Sequence, residues 1–373
     1  MRIAFIGLKG LPVPWTGIEF HVDRIARGLA AAGHQVTAYV RPHYTDATLK
    51  EYRGVRLLHL PTIRSKHLDA SVHSFLAAVD ALFRHYHVVH FHCIGPGFFS
   101  FIPRLSGKRV VCTVHRLDWQ SDKWGRLARW ALRVGEWVVV HAAHRLIVVS
   151  KDLEAYFWET YGRRAVFIPN GIDPVQPRPP QEISRRWGLA GGDYVLFLGR
   201  LSPEKRVDWL IRAFRALPRP ECDGKPVKLV IAGGCNATEP YVAALRQSAG
   251  DDSRVVFAGF VSGTLKEELL SNAALFVLPS RVEGMPIVLL EAKAYGICCL
   301  ASDIPSHREL IHDGVDGRLF AAEDAGDLLA KLQETLDDGE ARVRLVAAAR
   351  QRIASRLLWD DVVARTLAVY RGV

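Results

Sequence analysis

The stretch Leu275–Ala301, LFVLPSRVEGMPIVLLEAKAYGICCLA, decides the fold. It begins with the apolar run Leu275–Leu278, passes through a loop that ends at Pro286, and continues with a helical pattern over Ile287–Tyr295. A second apolar run, Cys298–Ala301, follows at once and predicts another strand. A strand, a helix and a strand in this order predict a parallel β-α-β unit.

The same alternation extends over the rest of the chain. In the C-terminal half, further strands are predicted at Tyr194–Leu198, Lys228–Ala232 and Val255–Phe257, with helices at Val207–Ala216 and Leu265–Asn272. In the N-terminal half, strands are predicted at Ile3–Ile6, Gln35–Val40, His87–His92, Arg109–Val114 and Leu146–Val149, with helices at Glu19–Ala32 and Lys123–Ala142. This pattern predicts two doubly wound α/β domains, with a ligand site at the carboxyl ends of their strands.

A proline-rich segment separates the two series. Residues 174–180 contain four prolines in seven positions, directly after Asn170-Gly171-Ile172-Asp173. Such a segment suits a semi-rigid connector better than a packed element. We therefore predict one domain over residues 1–172 and a second over residues 173–355. Residues 356–373 contain a last helix, Leu357–Tyr370, which begins near Trp359.

Positive charge is concentrated in the N-terminal half. The 373 residues carry a formal net charge of +10, and residues 1–172 hold 23 Lys/Arg against 12 Asp/Glu, whereas the remainder holds 26 against 27. The first half also holds 13 of the 15 histidines. Such a charge favours an anionic partner, but no recognised nucleic-acid-binding motif accompanies it. We expect no nucleic-acid partner.

Neither a signal peptide nor a membrane span is predicted. The opening MRIAFIGLKG has the pattern of a first β-strand, and the best candidate span, Trp137–Ser150, is interrupted by His141, His144 and Arg145. We expect a cytoplasmic protein. The cysteines show no metal-type spacing and predict reduced core thiols; they are Cys93, Cys112, Cys222, Cys235, Cys298 and Cys299.

Two cations follow the predicted strand Tyr194–Leu198. In GRLSPEK, residues 199–205, Arg200 and Lys205 lie on a loop between that strand and the next helix. Charges at the carboxyl edge of a sheet, near a helix N-terminus, attract a diphosphate. A solvated basic loop is the alternative interpretation for two cations alone.

Two carboxylates bracket the start of the helix Ile287–Tyr295. Glu283 lies in the preceding loop, and Glu291 lies about 7.5 Å along the helix axis from Pro286. The backbone of Met285, Pro286 and Ile287 is expected to offer amides to an anion. Carboxylates repel phosphates, so their presence beside an anion site is expected only if they accept hydrogen bonds from hydroxyl groups, such as those of a ribose and a sugar. The alternative interpretation is that Glu283 stabilises the helix dipole from the helix N-terminus and that Glu291 is an ordinary surface residue.

These clusters resemble the retaining glycosyltransferases of family 4, which have the GT-B fold of two Rossmann-like α/β domains facing each other across a cleft. The resembling stretches are GRLSPEKRVDWLIRAF (199–214), GFVSGTLKEELLSNAALFVLPSRVEGMPIVLLEAKAYG (259–296), SDIPSHRELIHDGVDGRLF (302–320) and IPNGID (168–173). The resemblance covers nearly the whole chain. It also implies that the last helix crosses back to the first domain.

The resemblance implies a role for each site residue. Arg200 and Lys205 would hold the diphosphate of a nucleoside-diphosphate-sugar, Glu291 the ribose hydroxyls, and Glu283 the donor sugar. Val261 would line the base. Two cations already neutralise the diphosphate, and no Asp-x-Asp motif follows a strand, so we expect no metal and no cofactor.

The N-terminal domain offers further candidates. Gly17 lies in a glycine-bearing loop before a helix and would allow a phosphate to approach, although Thr16 stands where the family usually has a glycine. Glu19 and His21 would meet the acceptor, or else stabilise the helix start. His115 follows the strand Arg109–Val114 and matches a histidine that the family places against the donor sugar.

The segment from Val114 to Gly125 resembles a subgroup that works in bacterial surface polysaccharide assembly, which implies a glycan or polyprenyl-linked glycan acceptor. The stretch Arg104–Trp137 holds eight Lys/Arg, three acids and four tryptophans. This composition suits peripheral contact with an anionic inner membrane face. The alternative is a core-facing stripe made of Leu127, Ala131, Val134 and Val138.

The combined prediction is a retaining, metal-independent glycosyltransferase of hexosyltransferase type. For same-face displacement the enzyme mainly stabilises the leaving diphosphate and orients the sugar. Three other functions remain open: a sugar-nucleotide epimerase, a phosphorylase, or a catalytically silent partner that binds nucleotide sugars within a polysaccharide-assembly complex.

Overall fold

The computed structural model describes residues 1–12, 16–65, 68–121, 124–234, 238–353 and 358–372. The predicted helix start at Lys123, the thiol of Cys235, the domain boundary at residue 355 and the predicted helix start at Leu357 lie outside these residues. The chain forms two compact units: Met1–Gly171 with Leu357–Val373, and Ile172–Arg356.

The first unit is built on an eight-stranded sheet in the order β3-β4-β2-β1-β5-β6-β7-β8, parallel except for the β3-β4 pair. Its strands are β1 (Arg2–Ile6), β2 (Gln35–Val40), β3 (Glu51–Tyr52), β4 (Val55–His59), β5 (Val88–His92), β6 (Arg109–Val114), β7 (Arg145–Val148) and β8 (Val166–Phe167). Its helices are α1 (Gly17–Ala31), α2 (Leu68–Phe83), α3 (Ile94–Gly97), α4 (Phe101–Arg104), α5 (Arg126–Ala142), α6 (Lys151–Tyr161) and α15 (Trp359–Arg371), and Asp118–Gln120 is a 3₁₀ turn.

The central strands of this sheet are buried on both faces, which explains their continuous apolar runs. Gly7 ends β1 at a positive φ of 108°, and a Cβ there would lie 2.4 Å from the carbonyl oxygen of His92. Only glycine allows this approach. The ends of β1 and β5 are therefore held together at the carboxyl edge of the sheet.

The last helix, α15, packs on α1. A Cβ at Gly28 would lie 2.5 Å from Val363 Cγ2, so the absence of a side chain there allows close helix contact. Tyr370 is fully buried, and its hydroxyl is hydrogen-bonded to His90 Nδ1 over 2.6 Å. Arg109 donates to the carbonyl oxygen of Tyr370 over 2.5 Å. Helix and sheet are thus joined by polar contacts as well as by packing.

The second unit contains a six-stranded, fully parallel sheet in the order β13-β12-β9-β14-β15-β16, with a small hairpin β10-β11. Its strands are β9 (Tyr194–Leu198), β10 (Glu221–Cys222), β11 (Lys225–Pro226), β12 (Lys228–Ala232), β13 (Val255–Gly259), β14 (Leu275–Leu278), β15 (Cys298–Ser302) and β16 (Arg318–Phe320). Its helices are α7 (Glu182–Trp187), α8 (Val207–Ala216), α9 (Glu239–Ala249), α10 (Gly263–Asn272), α11 (Ile287–Tyr295), α12 (Pro305–Arg308), α13 (Ala325–Asp337) and α14 (Gly339–Ile353), and Pro203–Lys205 is a 3₁₀ turn.

The five described cysteines are free thiols, as predicted. Four of them are buried, and burial raises the pKa of Cys112 to about 12 and that of Cys298 to about 11. These thiols therefore stay protonated and unreactive at neutral pH. In the described part of the chain, no helix is both long enough and apolar enough to cross a bilayer.

The four apolar residues of α5 that were the alternative to membrane contact do not form a core-facing stripe. Leu127 and Ala131 are exposed, while Val134 and Val138 are only half-buried. The buried residues of α5 lie further along the helix and include Gly135, Glu136, Val139, Val140 and Ala142. The core-stripe interpretation is therefore wrong, because Leu127 and Ala131 face solvent.

Candidate functional site

Two neighbouring strands of the second sheet place the main site loops side by side. β9 and β14 pair in parallel, with Leu275 opposite Val195, so the loops after them leave the same edge of the sheet. The Arg281 backbone N–H donates to the carbonyl oxygen of Glu204 over 2.8 Å. This hydrogen bond joins the loop after β9 to the loop after β14 and brings together residues that are distant in sequence.

Lys205 and Glu283 form an ion pair across these loops, with Lys205 Nζ donating to Glu283 Oε1. Both side chains are largely buried, with 14% and 12% exposed. Burial acts to raise the pKa of Glu283, but the Lys205 charge and further favourable contacts outweigh it, so the pKa lies below its usual value. Glu283 is therefore an anion at neutral pH, and Lys205 keeps two further N–H donors.

Arg200 lies at the end of β9 and pairs with Glu204 over 2.5 Å. Its side chain is 32% exposed, which makes it the more accessible of the two predicted cations. A guanidinium offers five donors in a planar fork, and this contact uses only part of them. Arg200 can therefore bind a phosphate from the side that Glu204 leaves open.

The loop after β14 turns into α11 at Pro286, which is the N-cap and has an extended backbone; the helix begins at Ile287. Two sequence predictions need correction here. Pro286 does not occupy the first helical position, and because proline has no N–H it cannot supply an amide to an anion. The N–H groups of Leu289 and Leu290 already reach the Pro286 carbonyl oxygen, which leaves Ile287 and Val288 as the donors of this turn that meet no acceptor in the described ranges of the chain.

Glu291 is buried one turn into α11, with 8% of its surface exposed. Lys266 on α10 donates from Nζ to Glu291 Oε1 over 2.7 Å, a partner that the sequence did not predict. Glu291 Oε2 is buried and accepts no hydrogen bond in the described part of the chain. A buried carboxylate oxygen without a donor is costly, so this atom is suited to a ligand hydroxyl.

Val261 follows β13 and is a buried member of the hydrophobic core of the second unit. Its side chain is therefore engaged in packing, and its backbone is the part suited to meeting a base. Met285 is also buried, between Glu283 and α11.

A buried ion pair anchors α11. Lys293, two residues after Glu291, lies 3.1 Å from Asp316, and both side chains are almost completely buried. Lys293 Nζ also donates to the carbonyl oxygen of Leu310. These contacts tie the helix that carries Glu291 to the segment before β16.

His307 on α12 is another buried residue that sequence reasoning missed. Its Nδ1 lies 2.8 Å from the carbonyl oxygen of Ser302, while Nε2 is buried without a partner in the described residues. Burial lowers the pKa of His307 to about 4, against the opposing effect of the Glu283 charge. It is neutral at physiological pH, and the SDIPSH motif held the signal that could have identified it.

His115 belongs to the first unit, where it follows β6 and joins two other buried histidines. His115 Nε2 lies 3.1 Å from Nδ1 of His92, which ends the adjacent strand β5. The His21 ring stands perpendicular to the His115 ring at a centroid distance of 4.7 Å. Burial lowers the pKa of His21 to about 4 and holds the pKa values of His92 and His115 well below the usual value.

The first turn of α1 holds the remaining candidates. Gly17 is the first residue of α1, and a Cβ there would meet no atom within 4 Å, so open space surrounds it. Glu19 is buried and accepts from the Lys9 backbone N–H over 3.0 Å, which ties the preceding loop to the helix. Of the predicted site residues, Gly17, Glu19, His21 and His115 thus lie in the first unit and the other eight in the second.

Both halves of the chain match family models of glycosyltransferases. Residues 15–176 match the model described as Glycosyltransferase Family 4, and residues 181–352 match the model described as Glycosyl transferases group 1. Two relatives are each 28% identical to this chain. The phosphatidyl-myo-inositol mannosyltransferase of Mycolicibacterium smegmatis matches 100% of this chain and 94% of its own length. The glycogen synthase of Mycobacterium tuberculosis matches 99% of this chain and 94% of its own length.

The fold is shared with solved structures. The sucrose-phosphate synthase of Thermosynechococcus elongatus superposes with a TM-score of 0.83 at 21% identity, over 100% of this chain and 98% of its own. This solved structure and the two parallel α/β units of the chain share the GT-B fold of glycosyltransferases. The chain belongs to family 4 of these enzymes, as the resemblance of its motifs predicted.

Proposed function

We propose that this glycosyltransferase moves a hexose from a nucleoside-diphosphate-sugar to a hydroxyl of a glycan or lipid-linked glycan acceptor, with retention at the anomeric carbon. The Lys205–Glu283 pair carries the proposal. It places a cation with spare donors beside a carboxylate with a lowered pKa. That combination suits a diphosphate joined to a hydroxyl-rich sugar.

In the proposed reaction, the bond from the anomeric carbon to the diphosphate oxygen breaks while the acceptor oxygen bonds to the same face of that carbon. The acceptor proton passes to the departing phosphate oxygen, so no enzyme nucleophile is needed. Arg200, Lys205 and the open N–H groups of Ile287 and Val288 stabilise the charge on the leaving group. Neutralisation by these groups makes a metal ion on the diphosphate unnecessary.

The acceptor side of the proposal depends on an exposed apolar surface of the first unit. On α5, Leu127, Trp130 and Trp137 are 80%, 64% and 55% exposed, at spacings that place them on one face. Arg104 donates to the carbonyl oxygens of His141 and Ala142 and so fixes α4 beside the end of this helix. We call the exposed residues of α5 the α5 face.

The α5 face suits a membrane because arginines flank its tryptophans. Arg126, Arg129 and Arg133 are all exposed on α5. Peripheral membrane binding has two components. Apolar side chains enter the headgroup region, and cations bind anionic lipids. A phosphatidylinositol derivative is the acceptor named for the mycobacterial relative, which supports a lipid-linked acceptor for this chain. Surface polysaccharide or envelope synthesis is the process we propose.

The experiment is a nucleotide-release assay over UDP-, GDP- and dTDP-sugars, with and without a polyprenyl-linked sugar. We expect release that depends on the acceptor, a product of unchanged anomeric configuration by NMR, and activity that survives EDTA. K205M should lower kcat about 100- to 1,000-fold, because one donor to the leaving group is lost. K331M removes a half-buried lysine of α13, whose side chain is 33% exposed, and is the matched control.

Four results would contradict the proposal. Near-normal transfer by K205M would remove Lys205 from the mechanism, and an inverted product would exclude same-face displacement. Donor consumption that yields an altered sugar nucleotide, with no transfer to the acceptor, would favour the epimerase instead. Nucleotide-sugar binding without any turnover would favour the catalytically silent partner.

A further inference from the structure

Three buried histidines converge at the carboxyl edge of the first sheet. His92 ends β5, His115 follows β6, and the two strands pair in parallel with His92 opposite Thr113. His21 reaches the same place from the first turns of α1. All three are at least 93% buried, and in the described part of the chain they form the one group of ligating side chains with this degree of convergence.

The distances match those of ligands that share one ion. One nitrogen from each ring lies within 4.8 Å of the other two. Nδ1 of His92 and Nε2 of His115 are 3.1 Å apart. Two imidazole nitrogens bound to a tetrahedral Zn²⁺ at 2.0–2.1 Å would be about 3.3 Å apart. Small side-chain rotations would bring all three nitrogens to this spacing.

A partner outside the cluster orients His21. Asn170 Oδ1 lies 2.7 Å from Nδ1 of His21, so Nδ1 carries the proton and Nε2 presents a lone pair. Nε2 of His21 is buried with no hydrogen-bond partner in the described residues. A carbonyl-type oxygen on one ring nitrogen, with the other nitrogen unpaired, is the arrangement that positions histidines on metals.

We propose that His21, His92 and His115 form a three-nitrogen site for a divalent transition-metal ion of the Zn²⁺ type. Neutral imidazoles without a carboxylate suit Zn²⁺, Co²⁺, Ni²⁺ or Cu²⁺, whereas Mg²⁺ and Ca²⁺ require oxygen ligands. Three protein ligands leave a fourth position open. This site is separate from the diphosphate groups of the second unit and adds a metal to a chain for which the sequence predicted none.

A metal in this site would inhibit transfer. This consequence rests on the proposed function and on the role that the family resemblance implies for His115, which is contact with the donor sugar. An ion that occupies His115 withdraws that imidazole from the sugar. Zn²⁺ bound at this site would thus inhibit the enzyme. Metal binding itself does not depend on the transfer reaction.

Binding is tested by titrating the full-length, chelator-treated protein with Co²⁺ and following its visible absorption, then displacing Co²⁺ with Zn²⁺. We expect one ion per chain with the intense bands of tetrahedral coordination and without a thiolate charge-transfer band. H92Q should abolish these bands. N170A keeps all three ligands and should weaken binding about 10- to 100-fold, since it removes only the orienting partner. H73Q removes a buried histidine of α2 outside the cluster and should change nothing.

Circular dichroism of H92Q and N170A shows whether each variant is folded. Absence of tetrahedral bands in the wild type, or bands that persist unchanged in both variants, would overturn the site. If Zn²⁺ binds but leaves transfer unchanged, the site stands and the inhibitory role is wrong. If the protein shows no transfer at all, the proposed function fails while the Co²⁺ spectrum still decides on the site.

Discussion

Lys266 Nζ donates to Glu291 Oε1 over 2.7 Å, and among the residues that the structure describes Glu291 Oε2 is a buried acceptor without a donor. The pairing fixes which carboxylate oxygen is open to a further donor. A ribose hydroxyl that donates to Oε2 would complete the hydrogen bonding of the group. Lys266 therefore acts as a positioning residue for the proposed nucleotide contact.

E291Q should raise the KM for the nucleotide-sugar about 10- to 100-fold, because a hydrogen bond to a charged acceptor contributes about 1.5–3 kcal/mol. K266M should raise it less, since the carboxylate remains but loses its orientation. Steady-state kinetics at saturating acceptor measure both effects. E267Q, on the neighbouring position of α10, is the control, because Glu267 pairs with Arg178 instead. An unchanged KM in E291Q would remove Glu291 from the donor site.

Loss of one partner of the Lys293–Asp316 pair should destabilise the second unit strongly. K293M leaves the Asp316 charge buried without its main partner, and breaking a buried pair costs about 3–5 kcal/mol. Urea unfolding followed by far-UV circular dichroism measures the change. The double variant K293M/D316L should recover part of the loss, because it buries no unpaired charge. A K293M midpoint equal to the wild-type midpoint would contradict this account.

His307 should make the second unit less stable in mild acid. Burial lowers its folded pKa to about 4 from the ordinary 6.5, so the unfolded chain binds more protons between these values. The free energy of unfolding contributed by His307 is therefore fully present above pH 6.5 and falls as the pH drops toward 4. Urea midpoints at pH 7 and pH 5 should differ less in H307N than in the wild type. An equal pH dependence in the two proteins would show that His307 contributes nothing to it.

The α5 face should bind anionic vesicles. W130S/W137S should weaken binding at least about 10-fold, because each tryptophan loses apolar burial in the headgroup region. Co-sedimentation with vesicles that contain phosphatidylglycerol, at low and physiological salt, measures the effect. W158S removes a tryptophan of α6 that is 53% exposed and is the matched control. If W158S and W130S/W137S lose binding equally, the α5 face is not the membrane surface.

The fold was predictable from local patterns where strands are buried on both faces. The runs at Tyr194–Leu198, Lys228–Ala232 and Leu275–Leu278 predict three central strands with the bounds that the structure has. Fully buried strands show their apolar character without any knowledge of neighbours. The elements that were missed, such as α14, have weaker patterns. α14 is held by long-range contacts, including the Arg342 hydrogen bond to the Asp223 carboxylate.

The site was only partly predictable for a related reason. The sequence indicates Lys205 and Glu283 separately, but their contact joins residues 78 positions apart and depends on the pairing of β9 with β14. The histidine cluster was also only partly predictable. An excess of histidines in the first half is visible in the sequence, whereas the meeting of His21, His92 and His115 requires the strand order of the sheet.

The packing of α15 on α1 has a consequence for biosynthesis. The ribosome makes the first unit's sheet early, but the helix that buries Tyr370 against His90 emerges only after the whole second unit has been made. Until α15 has been made, α1 and the start of β6 lack the helix that packs against them. The N-terminal unit is therefore expected to mature last although it is translated first, and the nascent chain would expose apolar surface to chaperones during elongation.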